Sequence, residues 1–289
     1  MTPERIGLLL QCEGMGDCLY AIPVIKKLRA ESSNRRFDVI THHPELFRAC
    51  PYVEDVYHIN DSEKQKTYPF ATLKMFELDK LPHWATDTCD FISIPLGLGQ
   101  LSFRDKQLEY FPTEEDRSES FDVVVNTSMT WPVRSWPLAN WQRLADGLKK
   151  KGLSVAVVGK DSYSEFDKIT KRSPPLEGCR NLVNQLSIDQ TFYTIRKCRL
   201  FVSCQNGLSV LAGATDVEVV VLDFSIDWSR RAIYRNENPL YKVTYVKGDC
   251  RIYCGAPDAC PLPENRGVFK CIPSYEKVER AVFAKLGLG

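Results

Sequence analysis

Apolar and polar residues along the N-terminal half follow the pattern of alternating strands and helices. Short apolar runs at 5–12, 36–43 and 53–60 are rich in Val, Ile and Leu and end at turn-forming residues, so each predicts a strand. Between the first two runs, apolar residues recur at helical spacing, at Leu19, Ile22, Ile25 and Leu28. Strand, helix and strand in this order form a βαβ unit, which predicts a parallel sheet covered on both faces.

The alternation restarts in the C-terminal half. Strands are predicted at 121–128, 153–160, 199–205 and 218–224, and helices at 138–152, 187–198 and 273–287. The polar, aperiodic stretch 111–120 is the best linker candidate, while residues 61–112 are less regular, with weak strand signals such as DFISIPL. The pattern predicts an α/β protein of two doubly wound, Rossmann-like domains, over 1–115 and 121–272, followed by a terminal helix over 273–289.

The start of the first helix is left open by the sequence. Pro23 would remove a hydrogen bond from the interior of a helix that begins near Asp17. Either the preceding loop continues to about Leu19, or the helix is kinked at the proline.

Composition adds few constraints. Of the 289 residues, 26% are charged and 44% hydrophobic, and the formal net charge is +1, so no overall basic field favours nucleic acid or an anionic membrane. No apolar run approaches the ~20 residues needed to span a bilayer. The N-terminus lacks the basic start and small-residue cleavage site of a secretory signal. We therefore expect a cytoplasmic protein.

The first candidate site is the segment GMGDCLY, which follows the first predicted strand. Gly14 and Gly16 fit only part of the dinucleotide-binding G-x-G-x-x-G spacing, so a nicotinamide cofactor is disfavoured. From spacing alone, Asp17 is interpreted first as a helix cap and second as a general base in a cleft. His42, at the end of the second predicted strand, is a further candidate for lining that cleft.

Two further segments place polar groups where a strand meets a helix. In the second segment, Arg134 follows hydroxyl side chains and precedes a helix, an arrangement that suits a diphosphate; the hydroxyls are those of Thr127, Ser128 and Thr130. The alternative is that the tryptophans here pack the helix and Arg134 is solvated. In the third segment, Gln205 and Asn206 precede a predicted helix whose first N–H groups, those of Gly207, Leu208 and Ser209, would face an anion.

In order, these segments resemble glycosyltransferase family 9, the ADP-heptose:lipopolysaccharide heptosyltransferase-like family. GMGDCLYAIPVIKKLR is similar to the family's opening motif, including the position of Pro23, and CPYVEDVYHI to its Pro-x-(Val/Ile)-Asp segment. RSWPLANWQRLADGLKKKGLSVAVVG resembles the (Lys/Arg)-x-Trp-Pro motif and the following strand. The segment from NLVNQLSIDQ to VEVVVL is similar to the region that ends in Asp-Thr-Gly-x-(Ser/Met)-His.

The resemblance implies the GT-B fold, with two Rossmann-like domains, an interdomain cleft and a final helix that packs back on the N-terminal domain. It implies inverting, metal-independent sugar transfer, with Asp17 as general base in an acceptor cleft beside Gly14 and Gly16. Arg134 and the segment around Gln205, Asn206 and Gly207 would bind the donor. The chain departs from the family at Gln205, where an acid is expected, and at Val210, where a histidine is expected.

The sequence carries eleven cysteines, of which the last four form a cluster, at Cys250, Cys254, Cys260 and Cys271. Their spacing is not one of the usual zinc spacings. Unlinked thiols are the favoured interpretation, with four-thiolate zinc and disulfides as alternatives. We expect no cofactor and no catalytic metal.

The expected partners are a nucleotide-sugar donor and an acceptor hydroxyl on a glycan or a lipopolysaccharide core. The latter would be compatible with peripheral membrane contact. Transfer to a hydroxylated base in nucleic acid is an alternative that the near-neutral charge disfavours. A catalytically inactive sugar-nucleotide-binding protein is a second alternative, because Gln205 replaces the expected acid.

Overall fold

The N-terminal part contains a four-stranded parallel sheet. The structure, a computed structural model, describes residues 4–32, 34–61, 70–73, 87–129, 131–164, 168–255, 260–262 and 269–288. The strands are β1 (Glu4–Leu10), β2 (Arg35–Thr41), β3 (Val56–His58) and β4 (Phe70–Leu73), in the order β3-β2-β1-β4. Every pair in this sheet is parallel, as the βαβ pattern predicts.

A second parallel sheet has six strands in the order β12-β11-β10-β5-β6-β9. Its strands are β5 (Val123–Asn126), β6 (Val155–Val158), β9 (Arg180–Asn181), β10 (Leu200–Cys204), β11 (Glu218–Asp223) and β12 (Val243–Lys247). Strands β7 (Ser162–Ser164) and β8 (Ile169–Lys171) form a separate antiparallel ribbon. The predicted parallel α/β class is confirmed; the domain boundaries stay predictions.

Six α-helices connect or flank the strands in the described part of the chain. They are α1 (Met15–Glu31), α2 (Thr88–Ser93), α3 (Leu138–Lys150), α4 (Ile188–Lys197), α5 (Gly207–Gly213) and α6 (Tyr275–Leu286). Short 3₁₀ turns cover Pro44–Leu46, Arg104–Lys106, Pro132–Arg134 and Trp228–Arg230.

Helix α1 runs continuously through Pro23, starting at Met15. The alternative in which the loop continues to about Leu19 is therefore wrong. Proline has no N–H to donate to the carbonyl group four residues earlier, which weakens the helix at this point. Residues 18–25 are all buried, and tertiary packing of this kind stabilises helices more than local preference does.

The weak strand signal DFISIPL belongs to a helix instead. α2 starts at Thr88, and the Asp87 side chain caps it by accepting a hydrogen bond from the backbone N–H of Asp90 at 3.2 Å. Asp90 in turn accepts a hydrogen bond from the buried ammonium group of Lys106 at 2.6 Å. A six-residue helix is too short for a clear helical period in the sequence, which explains the wrong prediction.

The apolar core lies on both faces of the six-stranded sheet. One cluster is shared with the first sheet and includes Leu8, Ile22, Val124 and Phe201. The other covers the opposite face, where Trp136 and Trp141 pack edge to face with ring centroids 4.9 Å apart. The tryptophans thus have the packing role considered for them from the sequence.

The terminal helix α6 packs on the six-stranded sheet, not on the N-terminal part. Its apolar face enters the second core cluster, and the ring of Tyr275 stacks on Trp136 at 6.3 Å between centroids. The expectation that residues 273–289 pack back on the N-terminal domain is therefore wrong. The physical reason is the match between the helix's apolar face, made of Tyr275, Val278, Val282 and Leu286, and the apolar surface beside α3.

Candidate active site

The first segment connects the buried end of β1 to α1. Gly14 is the N-cap of α1, and no side chain caps the helix, so Asp17 is the third helical residue. The interpretation of Asp17 as the capping residue is therefore wrong. A carboxylate in the first helical turn interacts favourably with the helix dipole.

Gly14 allows the carboxylate of Asp17 to fold back over the loop. A Cβ atom at position 14 would lie 2.7 Å from Oδ2 of Asp17, closer than non-bonded atoms approach. Any other residue at this position would displace the carboxylate. Gly14 therefore controls where Asp17 lies.

Two histidines that directly follow β2 lie near this loop. Nε2 of His43 donates a hydrogen bond to the carbonyl oxygen of Glu13 at 2.9 Å, and Nδ1 lies 3.2 Å from Oε1 of Glu45. Burial lowers the pKa of His43, but Glu45, the sulfur of Cys18 and the Glu13 carbonyl outweigh it, so the pKa is raised. Burial lowers the pKa of His42, whose ring meets His58 edge to face at 6.2 Å.

The second segment is engaged mainly in contacts within the protein. Thr127 is fully buried, and its hydroxyl donates to the carbonyl oxygen of Pro174 at 2.6 Å. The hydroxyl of Ser128 lies 2.9 Å from that of Ser173. The hydroxyl proton of Thr127 is thus bonded within the protein, and its predicted donor-binding role stays a prediction. Arg134 ends the 3₁₀ turn before α3, and Thr130 lies outside the described residues.

The third segment forms a self-contained helix cap. Oδ1 of Asn206 accepts hydrogen bonds from the N–H groups of Leu208 and Ser209, at 3.0 and 3.4 Å. The N-cap side chain thus accepts from both groups that were expected to face an anion, and their donor-binding role stays a prediction. Nδ2 of Asn206 donates to Oδ1 of Asn126 at 2.7 Å, which joins the third segment to β5.

Gln205 differs from its neighbours in having an unsatisfied polar group. Its side chain is 8% exposed, and its Nε2 has no hydrogen-bond partner among the described residues. Buried amide groups are normally hydrogen-bonded, so this donor is a candidate for contact with a ligand.

The first and third segments touch each other. A Cβ atom on Gly16 would lie 3.2 Å from Cα of Gly207, and one on Gly207 would lie 2.7 Å from Cε of Met15. The hydroxyl of Ser164 also donates to Oε2 of Glu13 at 2.7 Å. The first turn of α1, which carries Asp17, therefore lies against the carboxyl end of the six-stranded sheet.

A cavity at the ends of β6 and β9 was missed by the sequence interpretation. It measures about 360 Å³ and is lined by Asp161, Arg172, Ser173, Pro174, Pro175, Asn181, Val183 and Asn184. Asp161 accepts hydrogen bonds from the Ser173 N–H at 2.8 Å and from Nδ2 of Asn184 at 3.2 Å. The signal in the sequence is VVGKD, where Gly, Lys and Asp follow the buried strand β6.

The four clustered cysteines are free thiols in the structure. Burial, together with the nearby Cys250, Cys254 and Cys260, raises the pKa of Cys271 to about 11. In the described ranges, no group of three or more His, Cys, Asp or Glu residues is arranged to hold a metal ion. The zinc and disulfide alternatives stay predictions.

Comparison with known proteins shows a similarity to one family. Residues 92–226 match the model of Glycosyltransferase family 9 (heptosyltransferase). This region of the chain is similar to glycosyltransferase family 9. The expected resemblance is confirmed, and the chain is a glycosyltransferase. The matched region contains the second and third segments. No curated protein matches the sequence significantly.

Solved structures with the same fold include three from this enzyme group. A glycosyl transferase family 9 protein from Veillonella parvula DSM 2008 is 12% identical, with 100% of this chain and 99% of that chain covered and a TM-score of 0.66. The iron-containing heptosyltransferase TibC, from enterotoxigenic E. coli H10407, in complex with ADP-D-β-D-heptose, is 16% identical, with coverages of 100% and 78% and a TM-score of 0.71. E. coli ADP-heptose lps heptosyltransferase II is 14% identical, with coverages of 98% and 98% and a TM-score of 0.58.

These likenesses establish the fold of this glycosyltransferase, the heptosyltransferase (GT-B) fold. Among the helices of the described residues, none has both the length and the apolar character to cross a membrane.

Proposed function

We propose that this glycosyltransferase transfers a sugar from a nucleotide-diphosphate donor to an acceptor hydroxyl, with inversion at the anomeric carbon. In this proposal the N-terminal part holds the acceptor and the six-stranded sheet holds the donor. Asp17 is the general base, and the reaction needs neither a metal nor a cofactor.

The contact between Gly16 and Gly207 is the observation that carries the proposal. It brings the first turn of α1, with Asp17, against the strand ends where nucleotides bind in parallel α/β sheets. A general base and a bound donor must share one crevice, because a proton can be taken only by a group within hydrogen-bond reach.

The proposed chemistry is a single displacement. The acceptor oxygen forms a bond to the anomeric carbon from the side opposite the diphosphate, and the bond from that carbon to the diphosphate oxygen breaks. The acceptor proton passes to the Asp17 carboxylate, while the electron pair of the broken bond leaves with the diphosphate. General-base assistance of this kind contributes typically about 10²–10⁴-fold.

The leaving diphosphate needs positive charge, and we assign this role to Arg134. A guanidinium group can bind phosphate oxygens with two parallel hydrogen bonds. This role falls mainly on Arg134 because the N–H groups of Leu208 and Ser209 are already bonded to Asn206. The unsatisfied amide of Gln205 would donate to a sugar hydroxyl or a phosphate oxygen.

We assign the nucleoside to the 360 Å³ cavity at the ends of β6 and β9. Carboxylate and amide groups such as those of Asp161 and Asn184 suit the hydroxyls of a ribose. The donor class that we propose is a nucleoside-diphosphate heptose or a related sugar, since structural relatives include one in complex with ADP-D-β-D-heptose and an ADP-heptose lps heptosyltransferase.

We propose a glycan acceptor, such as a lipopolysaccharide core. The name of one structural relative includes lps, and no observation in the described site favours a hydroxylated nucleic-acid base. We also propose peripheral membrane contact, because a lipopolysaccharide acceptor is compatible with it.

Asp17→Asn tests the mechanism. We expect transfer from ADP-heptose to fall by about 10²–10⁴-fold, because an amide cannot accept the acceptor proton. The ADP-heptose-dependent rise in melting temperature should persist, because it reports donor binding to the folded chain. Asp249→Asn, at an exposed carboxylate paired with Lys277, is the matched control and should keep full transfer.

Equal transfer by Asp17→Asn and the native chain would contradict the role of Asp17. Donor binding without transfer by the native chain, across several glycan acceptors, would favour the inactive binding protein instead. If other nucleotide-sugars raise the melting temperature and ADP-heptose does not, the donor assignment is wrong while the reaction class stands.

A further inference from the structure

Two buried cysteines face each other beside the proposed general base. The sulfur atoms of Cys12 and Cys18 are 3.3 Å apart, and the two residues are 1% and 0% exposed. Cys12 lies in the loop after β1, while Cys18 lies in the first turns of α1. The proposed chemistry of sugar transfer uses neither thiol.

The surroundings make the two thiols unequal. The sulfur of Cys18 also lies 3.4 Å from Oγ1 of Thr41. A hydrogen bond from Cys12, assisted by His43 and Thr41 against the effects of burial and Asp17, lowers the pKa of Cys18. The same hydrogen bond, with burial, raises the pKa of Cys12 well above its usual value. Cys18 is therefore the thiol of the pair that loses its proton more readily, and Cys12 the one that keeps it.

We propose that Cys12 and Cys18 form an oxidation site for small hydroperoxides, and that oxidation joins them in a disulfide. Thiolate is the reactive form of cysteine, and a second thiol at contact distance resolves the first oxidation product. Closing the bond needs the sulfur atoms to approach by roughly 1.3 Å, since a disulfide measures about 2.05 Å. Because both thiols are buried, the oxidant must be a small molecule such as hydrogen peroxide.

The oxidation takes place in two steps, and atoms and electrons balance in each. The Cys18 thiolate attacks one peroxide oxygen, the O–O bond breaks, and the products are a sulfenic acid and hydroxide, which takes a proton to become water. The Cys12 thiol then attacks the sulfenic sulfur, and its proton leaves with the displaced hydroxyl as a second water. One peroxide accepts two electrons from the two sulfurs.

The disulfide would close a ring of residues 12–18 that contains Asp17 and both of its neighbouring glycines. The N–H group of Cys18 donates a hydrogen bond to the Gly14 carbonyl oxygen at 3.2 Å. A displacement of Cys18 should therefore also displace the first turn of α1. This consequence rests on the proposed function: transfer should fall by about 10²-fold, the typical cost of misplacing a reacting group by ~1 Å. Donor binding on the six-stranded sheet should remain.

Mass spectrometry tests the oxidation site independently of activity. Trypsin releases residues 6–26 as one peptide, which contains Cys12 and Cys18 and no other cysteine. After hydrogen peroxide treatment of the folded chain, we expect this peptide to lose two hydrogen atoms and to resist alkylation until a reductant is added. Oxidation of Met15 in the same peptide adds an oxygen atom and is distinguished by its mass.

Two variants complete the test. Cys12→Ser removes the resolving thiol, so residue 18 should proceed to sulfenic and sulfinic acid without the disulfide. Cys50→Ser removes a buried cysteine elsewhere and should leave the reaction unchanged. Reductant should restore the transfer lost by the native chain.

The proposal is overturned if both thiols of the peroxide-treated native chain alkylate fully after unfolding, or if the disulfide forms equally fast with bulky oxidants. A disulfide that leaves transfer unchanged would overturn the regulatory consequence alone. Absence of transfer in the reduced chain would count against the proposed function, while the mass measurement would still decide the oxidation site.

Discussion

At the residue scale, Asp223 is a buried acid in an unusual state. It ends β11 and is fully buried, and Oδ2 accepts a hydrogen bond from the hydroxyl of Tyr253 at 3.0 Å. Oδ1 has no hydrogen-bond partner among the described residues. Burial, opposed by the Tyr253 hydrogen bond, raises the pKa of Asp223 to about 7. The carboxyl group therefore changes charge near neutral pH.

Asp223→Asn should change how stability depends on pH. The folded-state pKa lies above the ordinary value of about 3.9, so the folded chain holds this proton more tightly than the unfolded chain. The stabilisation is complete below pH ~4 and is lost as the pH rises through about 7. At pH 8 we expect the variant to be more stable than the native chain by up to a few kcal/mol, because an amide stays neutral when buried.

Urea unfolding at pH 5 and pH 8 measures this effect. The difference between variant and native chain should be larger at pH 8 than at pH 5. Asp249→Asn, which removes an exposed carboxylate, serves as the control. Identical pH dependence of Asp223→Asn and the native chain would show that Asp223 is already ionised at pH 5.

At the element scale, glycines set the distance between two helices that start at the active site. Gly16 in the first turn of α1 and Gly207 at the start of α5 are close enough that a side chain on either would meet the other helix. A glycine within a helix costs about 1 kcal/mol relative to alanine. This cost is offset here by the close approach of the two helix ends.

Gly207→Ala should destabilise the chain and reduce transfer. Its Cβ would lie 2.7 Å from Cε of Met15 and 3.0 Å from the backbone N of Gly16, and overpacking of this kind costs about 1–3 kcal/mol. Gly147→Ala in α3 is the matched control. Its Cβ would meet Phe283 at an ordinary 3.6 Å, so a gain of about 0.5–1 kcal/mol is expected.

Chemical denaturation measures the stability of the two glycine variants. The transfer assay reports whether the spacing of the active site is preserved. If both variants gained stability and kept full transfer, the close contact between α1 and α5 would not be needed for either property.

At the scale of the whole molecule, the two sheets share one apolar cluster, and polar contacts join them. The hydroxyl of Tyr20 on α1 donates to the carbonyl oxygen of Ala232 at 3.0 Å, and that of Thr88 on α2 donates to the carbonyl oxygen of Arg230 at 3.1 Å. The second cluster, by contrast, belongs to the six-stranded sheet with α3 and α6. A substitution that weakens this second cluster should therefore destabilise the C-terminal part first.

Val278→Ala in α6 tests this division. Removing two methyl carbons from a fully buried position should lower the free energy of unfolding by about 1–3 kcal/mol. Amide hydrogen exchange should quicken in β10, β11 and β12 more than in β1 and β2, because α6 packs on the former. Arg280→Ala, at an exposed position of the same helix, is the control. Faster exchange first in β1 would contradict the observed position of α6.

The sequence by itself determined the parallel α/β class, the order of most elements and the segments at which the site is built. Strand and helix periods are local properties, and the ends of parallel strands collect at one edge, so Asp17, Arg134 and Gln205 could be selected without coordinates. The family motifs then supplied their expected roles.

Only the tertiary structure decided which groups face each other. The hydroxyl of Thr127 and the N–H groups of Leu208 and Ser209 turn out to be bonded within the protein, and the cavity beside Asp161 and the pair Cys12–Cys18 become visible. Some of these contacts join residues far apart in the chain, and the others depend on how the chain turns between strand and helix. Both are set by packing in three dimensions, about which the period of the sequence carries no information.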